Sequence, residues 1–202
     1  MADFNWTLAL PQPARFTLRR RAPSFAYQSQ LSGAVQTVSL PGAQWGALLE
    51  FPPMRAADSV ALEVLLMQLR GRANRLVLWH LARPALRGAG GGTPIVNGGG
   101  QTGSAISISG LPNNRTGWAL PGDMVGIGGE LKMVTASCNS DGSGIATLTF
   151  EPPLRSAKSN GTAIVTAAPT TKFMLASDSS EWTHEPVKMV RGHVLELIEA
   201  FA

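Results

Sequence analysis

Apolar and polar residues alternate in short runs along most of the chain, the two-residue period of half-buried strands. Arg15-Phe16-Thr17-Leu18 alternates in this way, and Val35, Thr37 and Val38 mark a strand within 31–40 that Pro41-Gly42 turns. A strand at 48–51 is stopped by Pro52-Pro53, and 75–81 (RLVLWHL) reads as another, ended by Arg83-Pro84. Ile106 and Ile108 alternate with serines. Short strands are then predicted at 118–124, 131–136, 145–150 and 161–167. Turns at Pro121-Gly122-Asp123, Gly128-Gly129 and Asn139-Ser140-Asp141-Gly142 punctuate them. Near the end, 173–175 and 194–198 are apolar strand candidates.

One segment has the longer helical period. Asp58 or Ser59 can cap a helix over 59–70, which Gly71 terminates. On a helical wheel its apolar arc runs from Met67 through Val60, Val64, Ala61, Leu65, Leu69 and Leu62 to Leu66, broken by Gln68. That arc covers roughly 260°, against the ~100° stripe of an ordinary surface helix. Such a helix needs cover on more than one side, from its own sandwich or from a neighbouring subunit.

Composition changes along the chain and divides it. Nine glycines fall within 88–110, which reads as a flexible connection. Five short strands follow in a stretch that suits a small OB-like β-barrel. After Pro169 the apolar strands resume, and a strand so close to the C-terminus needs a partner to tie it down. The expected fold is therefore mainly β: a discontinuous β-sandwich with one helix, formed by 1–88 and 170–202, carrying an inserted OB-like barrel at 95–168. The 202 residues are 44% hydrophobic and 15% charged, enough apolar material for a core and too little charge for disorder. The lone Cys138 excludes an intramolecular disulfide framework. The N-terminus lacks a secretory pattern, and no apolar run is long enough to span a bilayer, so synthesis in a cytoplasm and no membrane partner are expected.

The net charge of +4 is local. Residues 1–92 carry 10 Lys/Arg against 4 Asp/Glu, 93–168 carry 4 against 4, and 169–202 carry 3 against 5. The excess lies in Arg15, Arg19, Arg20 and Arg21, and in Arg70, Arg72, Arg75, Arg83 and Arg87. Such clusters bind phosphate backbones or, more commonly, form a solvated rim paired with acidic groups. The acidic C-terminal segment offers that complement. The predicted barrel is neutral, with only Trp118 and Phe150 as aromatics, which argues against specific nucleic-acid binding.

Catalytic constellations are scarce. Gly98-Gly99-Gly100-Gln101-Thr102-Gly103 matches G-x-G-x-x-G, but the stretch after it alternates like a strand where a dinucleotide site needs a helix. His80, His184 and His193 have no helical spacing to one another. His80, between Trp79 and Leu81, reads as structural. His184 beside Glu181 and Glu185 is a weak metal hint, and Cys138 has no partner group nearby in sequence. Asp123 and Asp141 stand in Gly-adjacent turns where a carboxylate accepts backbone hydrogen bonds. The Asn139 turn fails as a calcium loop, because Phe150 occupies the position that needs a bidentate Glu. No catalytic, cofactor-binding or metal residue is assigned, and a non-enzymatic role without cofactors is expected.

The layout resembles the distal tail proteins of long-tailed bacteriophages, the T5-type most strongly. The residues concerned are Leu31-Ser32-Gly33 with Gln36, Trp45, the Phe51-Pro52-Pro53 turn into the helix, the strand at 76–81 and the closing strand at 194–201. Pro121-Gly122-Asp123 and Phe150-Glu151-Pro152-Pro153-Leu154-Arg155 are also similar to tail-tip sequences. The resemblance implies a structural virion protein at the tail tip. It would form a ring, a homohexamer, joining the tail tube protein to the baseplate hub or tail-tip protein, with the barrels projecting outward. The alternative is a carbohydrate- or host-receptor-binding module, with a host surface glycan as partner.

Overall fold

A computed structural model describes residues 1–40, 42–185 and 189–201. The Pro41 half of the expected Pro41-Gly42 turn, part of the 170–202 segment and the last residue lie outside the described residues. In chain order the first part forms β1 (Asp3–Asn5), β2 (Arg15–Arg21), β3 (Ser24–Gln28), β4 (Val35–Ser39), β5 (Gln44–Glu50), β6 (Met54–Arg55), α1 (Ala56–Leu69) and β7 (Arg75–Trp79). The middle forms β8 (Ile95–Val96), β9 (Gln101–Ser109), β10 (Met124–Ile127), β11 (Glu130–Val134), β12 (Ala146–Lys158) and β13 (Ile164–Val165). The last part adds β14 (Thr170–Leu175), β15 (Thr183–Glu185), β16 (Met189–Arg191) and β17 (Val194–Glu199). The protein is mainly β, a sandwich with one helix plus a small barrel.

Six strands make the main sheet, in the order β1-β7-β14-β17-β5-β2. Four of them precede the barrel and two follow it. β1 runs parallel to β7, and the other pairs are antiparallel. Alternation decides which face is covered: Trp45, Ala47 and Leu49 of β5 are buried, while Gly46, Leu48 and Glu50 between them are half-buried. On the covered face, Leu62, Leu65, Leu66 and Leu69 of α1 join Leu76, Leu78, Phe173, Leu195 and Leu197 in one core. A short β15-β16-β6 sheet lies alongside the helix in that second layer.

α1 begins three residues before its expected start. Arg55 stands at the N-cap without a side-chain cap hydrogen bond. Ser59 lies inside the first turn, its hydroxyl within hydrogen-bond distance of two acceptors, Glu63 Oε1 (2.7 Å) and the Ala56 carbonyl (2.9 Å). The C-terminal end does follow expectation, with Arg70 and Gly71 both left-handed at φ 49° and 60°.

The barrel sheet runs β13-β10-β11-β12-β9-β8. An Ile95–Ala163 bridge and the hydrogen bonds Val96 N–H to Thr162 O (2.9 Å) and Ile164 N–H to Pro94 O (2.9 Å) nearly close it. Ile106, Ile108, Trp118, Val125, Ile127, Leu148 and Phe150 fill it. Three strand expectations need correction. The segment 118–123 is a turn with one Ala119–Cys138 bridge, and pairing starts only at Met124. β12 continues through Pro152-Pro153 by shifting its register against β9 between Thr149 and Leu154. Residues 161–167 pair as a named strand only at Ile164–Val165.

The glycine-rich stretch is not a flexible connection. Its glycines let backbone lie against backbone. A Cβ on Gly110 would fall 2.3 Å from Thr93 O, one on Gly92 2.2 Å from Gly110 O, and one on Gly88 2.4 Å from Trp118 O. Gly110→Ala is expected to destabilise the protein by on the order of 2 kcal/mol in urea titration, from clash and a φ of +82° together. At Gly100 a Cβ meets open space, so Gly100→Ala carries only backbone strain, about 1 kcal/mol.

Candidate functional site

Beyond their paired residues Arg21 and Gln44, β2 and β5 continue into β3 and β4, which form a two-stranded sheet of their own. The tip is closed by Ser29 N–H to Ala34 O and Gly33 N–H to Ser29 O, both 2.9 Å. All ten strand residues of this arm are exposed. Pairing puts Phe25 opposite Val38 and Tyr27 opposite Gln36 on one face, and Ala26 opposite Thr37 on the other. Phe25 and Tyr27 are 64% and 60% exposed. Residues 22–43 contain no charged side chain. A lone hairpin is at best marginally stable in water, so an uncharged arm with one apolar face calls for a surface to lie on.

A second open surface lies on α1. The over-wide apolar arc is only half covered: Val60, Val64 and Met67, spaced i, i+4, i+7, are exposed. With Trp182 they line a hollow of about 420 Å³ rimmed by Glu63 and Arg70. Of the exposed large apolar side chains among the described residues, six fall within 25–40 and three on α1, and the others are scattered.

Trp182 connects α1 to a histidine pair. It stacks on His193 (centroids 5.8 Å apart, 22° between planes), and its indole N–H donates to His184 Nε2 at 3.1 Å. His184 Nε2 lies 3.8 Å from Glu63 Oε1, while Glu185 pairs with Arg191 at 2.9 Å, so the expected grouping of His184 with Glu181 and Glu185 is replaced by one across to the helix. His193 is buried with neither ring nitrogen hydrogen-bonded. Burial pushes its pKa below 6.5, with Glu63 opposing and His184 adding to the fall. The native state thus binds fewer protons than the unfolded chain. Stability is full above pH 6.5 and falls as the pH drops toward the native pKa. His80, also lowered by burial and by Arg83, acts in the same direction. Thermal melts at pH 7.5 and pH 5 are expected to show this loss, and His193→Phe should reduce the difference without abolishing it.

The remaining candidates are accounted for by structure. Asp123 is buried, accepting the backbone N–H groups of Leu120 (2.8 Å), Arg87 (3.0 Å) and Gly88 (3.2 Å). Burial would raise its pKa, but these donors outweigh it and hold the carboxyl below its ordinary range. Asp141 accepts from Ser143 and Ile145 N–H in an exposed turn. The G-x-G-x-x-G glycines lead into strand β9. The Cys138 thiol is buried and pushed up to about 11, far from the reactive thiolate range. His80 packs edge-on against Phe16 at 5.2 Å. Among the described residues, no three His, Cys, Asp or Glu side chains gather closely enough to hold a metal ion. No described helix is long and apolar enough to cross a membrane.

The arginine clusters are largely engaged within the chain. Arg15 pairs with Glu50, Arg19 with Glu196 and Arg20 with Glu151. Arg83 donates to Gly122 O, and Arg87 to Asp123. Both barrel aromatics, Trp118 and Phe150, are fully buried, so neither offers a stacking platform to a sugar or a base. Sequence reasoning missed the arm as a site. Its signal was available in the 28-residue run from Ala22 to Leu49 without a charge.

Where barrel meets sandwich, a buried charge cluster joins the two. Glu130 holds Lys132 (2.7 Å) and Lys158 (2.5 Å), and Glu199 holds Arg155, the Thr171 hydroxyl (2.8 Å) and the Trp45 backbone N–H (2.9 Å). Trp45 Nε1 donates to Leu131 O at 2.8 Å, and Met124 and Leu131 of the barrel belong to the sandwich core. Two hollows of about 580 and 510 Å³ open beside this junction, the first between the base of the arm and Glu151, Leu154 and Arg155, the second over Glu130, Lys158 and Thr171. No protein-family model matches the chain, and no curated protein matches it.

Proposed function

We propose that this chain is a structural protein of a bacteriophage tail tip, a distal tail protein of the T5 type. It forms a ring that joins the tail tube to the baseplate hub or tip. The observation that carries this reading is the exposed, uncharged arm, a surface whose chemistry suits permanent cover by protein. Fastening of the barrel to the sandwich by buried charges supports a rigid projecting appendage rather than a tethered module. The resemblance in layout, a sandwich interrupted by a barrel, points the same way.

The test is native mass spectrometry with negative-stain imaging of the purified protein, and immunodetection in virions. A closed ring, six subunits by the resemblance, located at the tail tip is expected. A strictly monomeric protein that is also absent from virions overturns the reading.

A further inference from the structure

We infer that the two open surfaces are partners across subunits: the Phe25–Tyr27–Val38 face of one copy's arm lies on the Val60–Val64–Met67 face of the next copy's α1, beside Trp182. The inference rests on the ring reading and adds the mode of contact. Both surfaces are apolar at their centres, and the arm's lack of charge leaves Glu63 and Arg70 on the hollow's rim unopposed. They also sit at opposite ends of the fold. The arm leaves from β2, one edge strand of the main sheet. The C-terminal end of α1 lies by the other edge, where Gln68 and Arg70 share a hollow with Met1, Ala2 and Phe4, next to β1. Two different patches on opposite sides of one chain join head to tail, and head-to-tail contacts build a ring where the rotation closes and a filament where it does not, never a two-fold dimer. An arm on another arm would be a two-fold contact and would leave the helix stripe bare.

Complementation by two full-length variants tests this. Phe25→Ser spoils the arm, and Val64→Asp, with Met67→Glu as a second version, spoils the helix face. All three sites are exposed, and unchanged circular dichroism melts check the fold. Each variant alone is expected to weaken self-association roughly tenfold or more. An equimolar mixture should give a one-to-one dimer that grows no further, because each dimer keeps one good contact. Tyr27→Cys with Val64→Cys in one chain should give an oxidised ladder of oligomers, with buried Cys138 inert. If Val64→Asp and Met67→Glu leave ring size and affinity unchanged while Phe25→Ser dissociates the ring, the helix face is not the receptor, and the ring reading stands without it. If the wild-type chain stays monomeric and the double-cysteine chain gives no ladder, the contact fails, and absence from virions as well overturns the ring reading with it.

Discussion

Replacing Glu199 with alanine is expected to lower the free energy of unfolding by about 3–5 kcal/mol, read as a fall in the urea midpoint with little change in slope. The Glu199 carboxylate is buried where two sheets meet, and its partners come from β12, β14 and β5. Its removal leaves the Arg155 guanidinium without its counter-charge, and Arg155 Nε already lacks a partner. The Thr171 hydroxyl and the Trp45 N–H are orphaned as well, and buried groups left unpaired cost more than the bonds they had contributed. Glu199→Gln keeps the shape and an acceptor, so its loss should be smaller. The neighbouring Glu130 cluster adds a pH signature. Burial would raise the Glu130 pKa, but Lys132 and Lys158 hold it below 4.5. Its contribution is therefore present above pH 4.5 and lost as the pH falls through the lowered value. An acid limb of unfolding below that pH should shrink in Glu130→Gln, which is itself less stable at neutral pH.

These clusters could not be read from the sequence, because their members are far apart: Trp45, Arg155, Thr171 and Glu199 have no pattern until β5, β12, β14 and β17 come together. The strands were legible where alternation was strong, as in β7 and β17, since period-two burial is written directly in the residue types, whereas β5, expected at 48–51, in fact starts at Gln44 and ends at Glu50. The parallel pairing of β1 with β7 was not, because three residues carry too little pattern. Glycine misled most. A high glycine count reads as flexibility, but here Gly88, Gly92 and Gly110 serve close backbone approach, which only the neighbouring chain reveals. The helix was legible in place and in its excess of apolar surface. What that excess meant, an open stripe of Val60, Val64 and Met67, needed the fold to show which leucines were already covered. The arm was half legible: Val35, Thr37 and Val38 marked β4, whereas β3 was not assigned, and the exposure of the pair showed in the sequence only as absent charge.

Trp118→Ala is expected to cost about 3–5 kcal/mol, the range for deleting a buried aromatic, and to lower the melting temperature by roughly 10 °C in a chain of this size. The indole is fully buried in the barrel, and its N–H donates to Gly91 O at 2.9 Å. It thus fills the core and also ties the glycine-rich stretch to the barrel, beside the Gly88 contact with its own carbonyl. Trp118→Phe keeps most of the volume and loses the hydrogen bond, so about 1–2 kcal/mol is expected. The pair of variants also separates two origins of any glycan binding by the intact protein. A residue that touches sugar would lose binding in Trp118→Ala at temperatures where the fold persists. A core residue loses binding only as the barrel melts, and Trp118→Phe would then bind as well as the wild type well below its melting temperature. The buried position of Trp118 requires the second outcome. A Trp118→Ala protein that melts within a degree or two of the wild type would show that the indole is not part of the core.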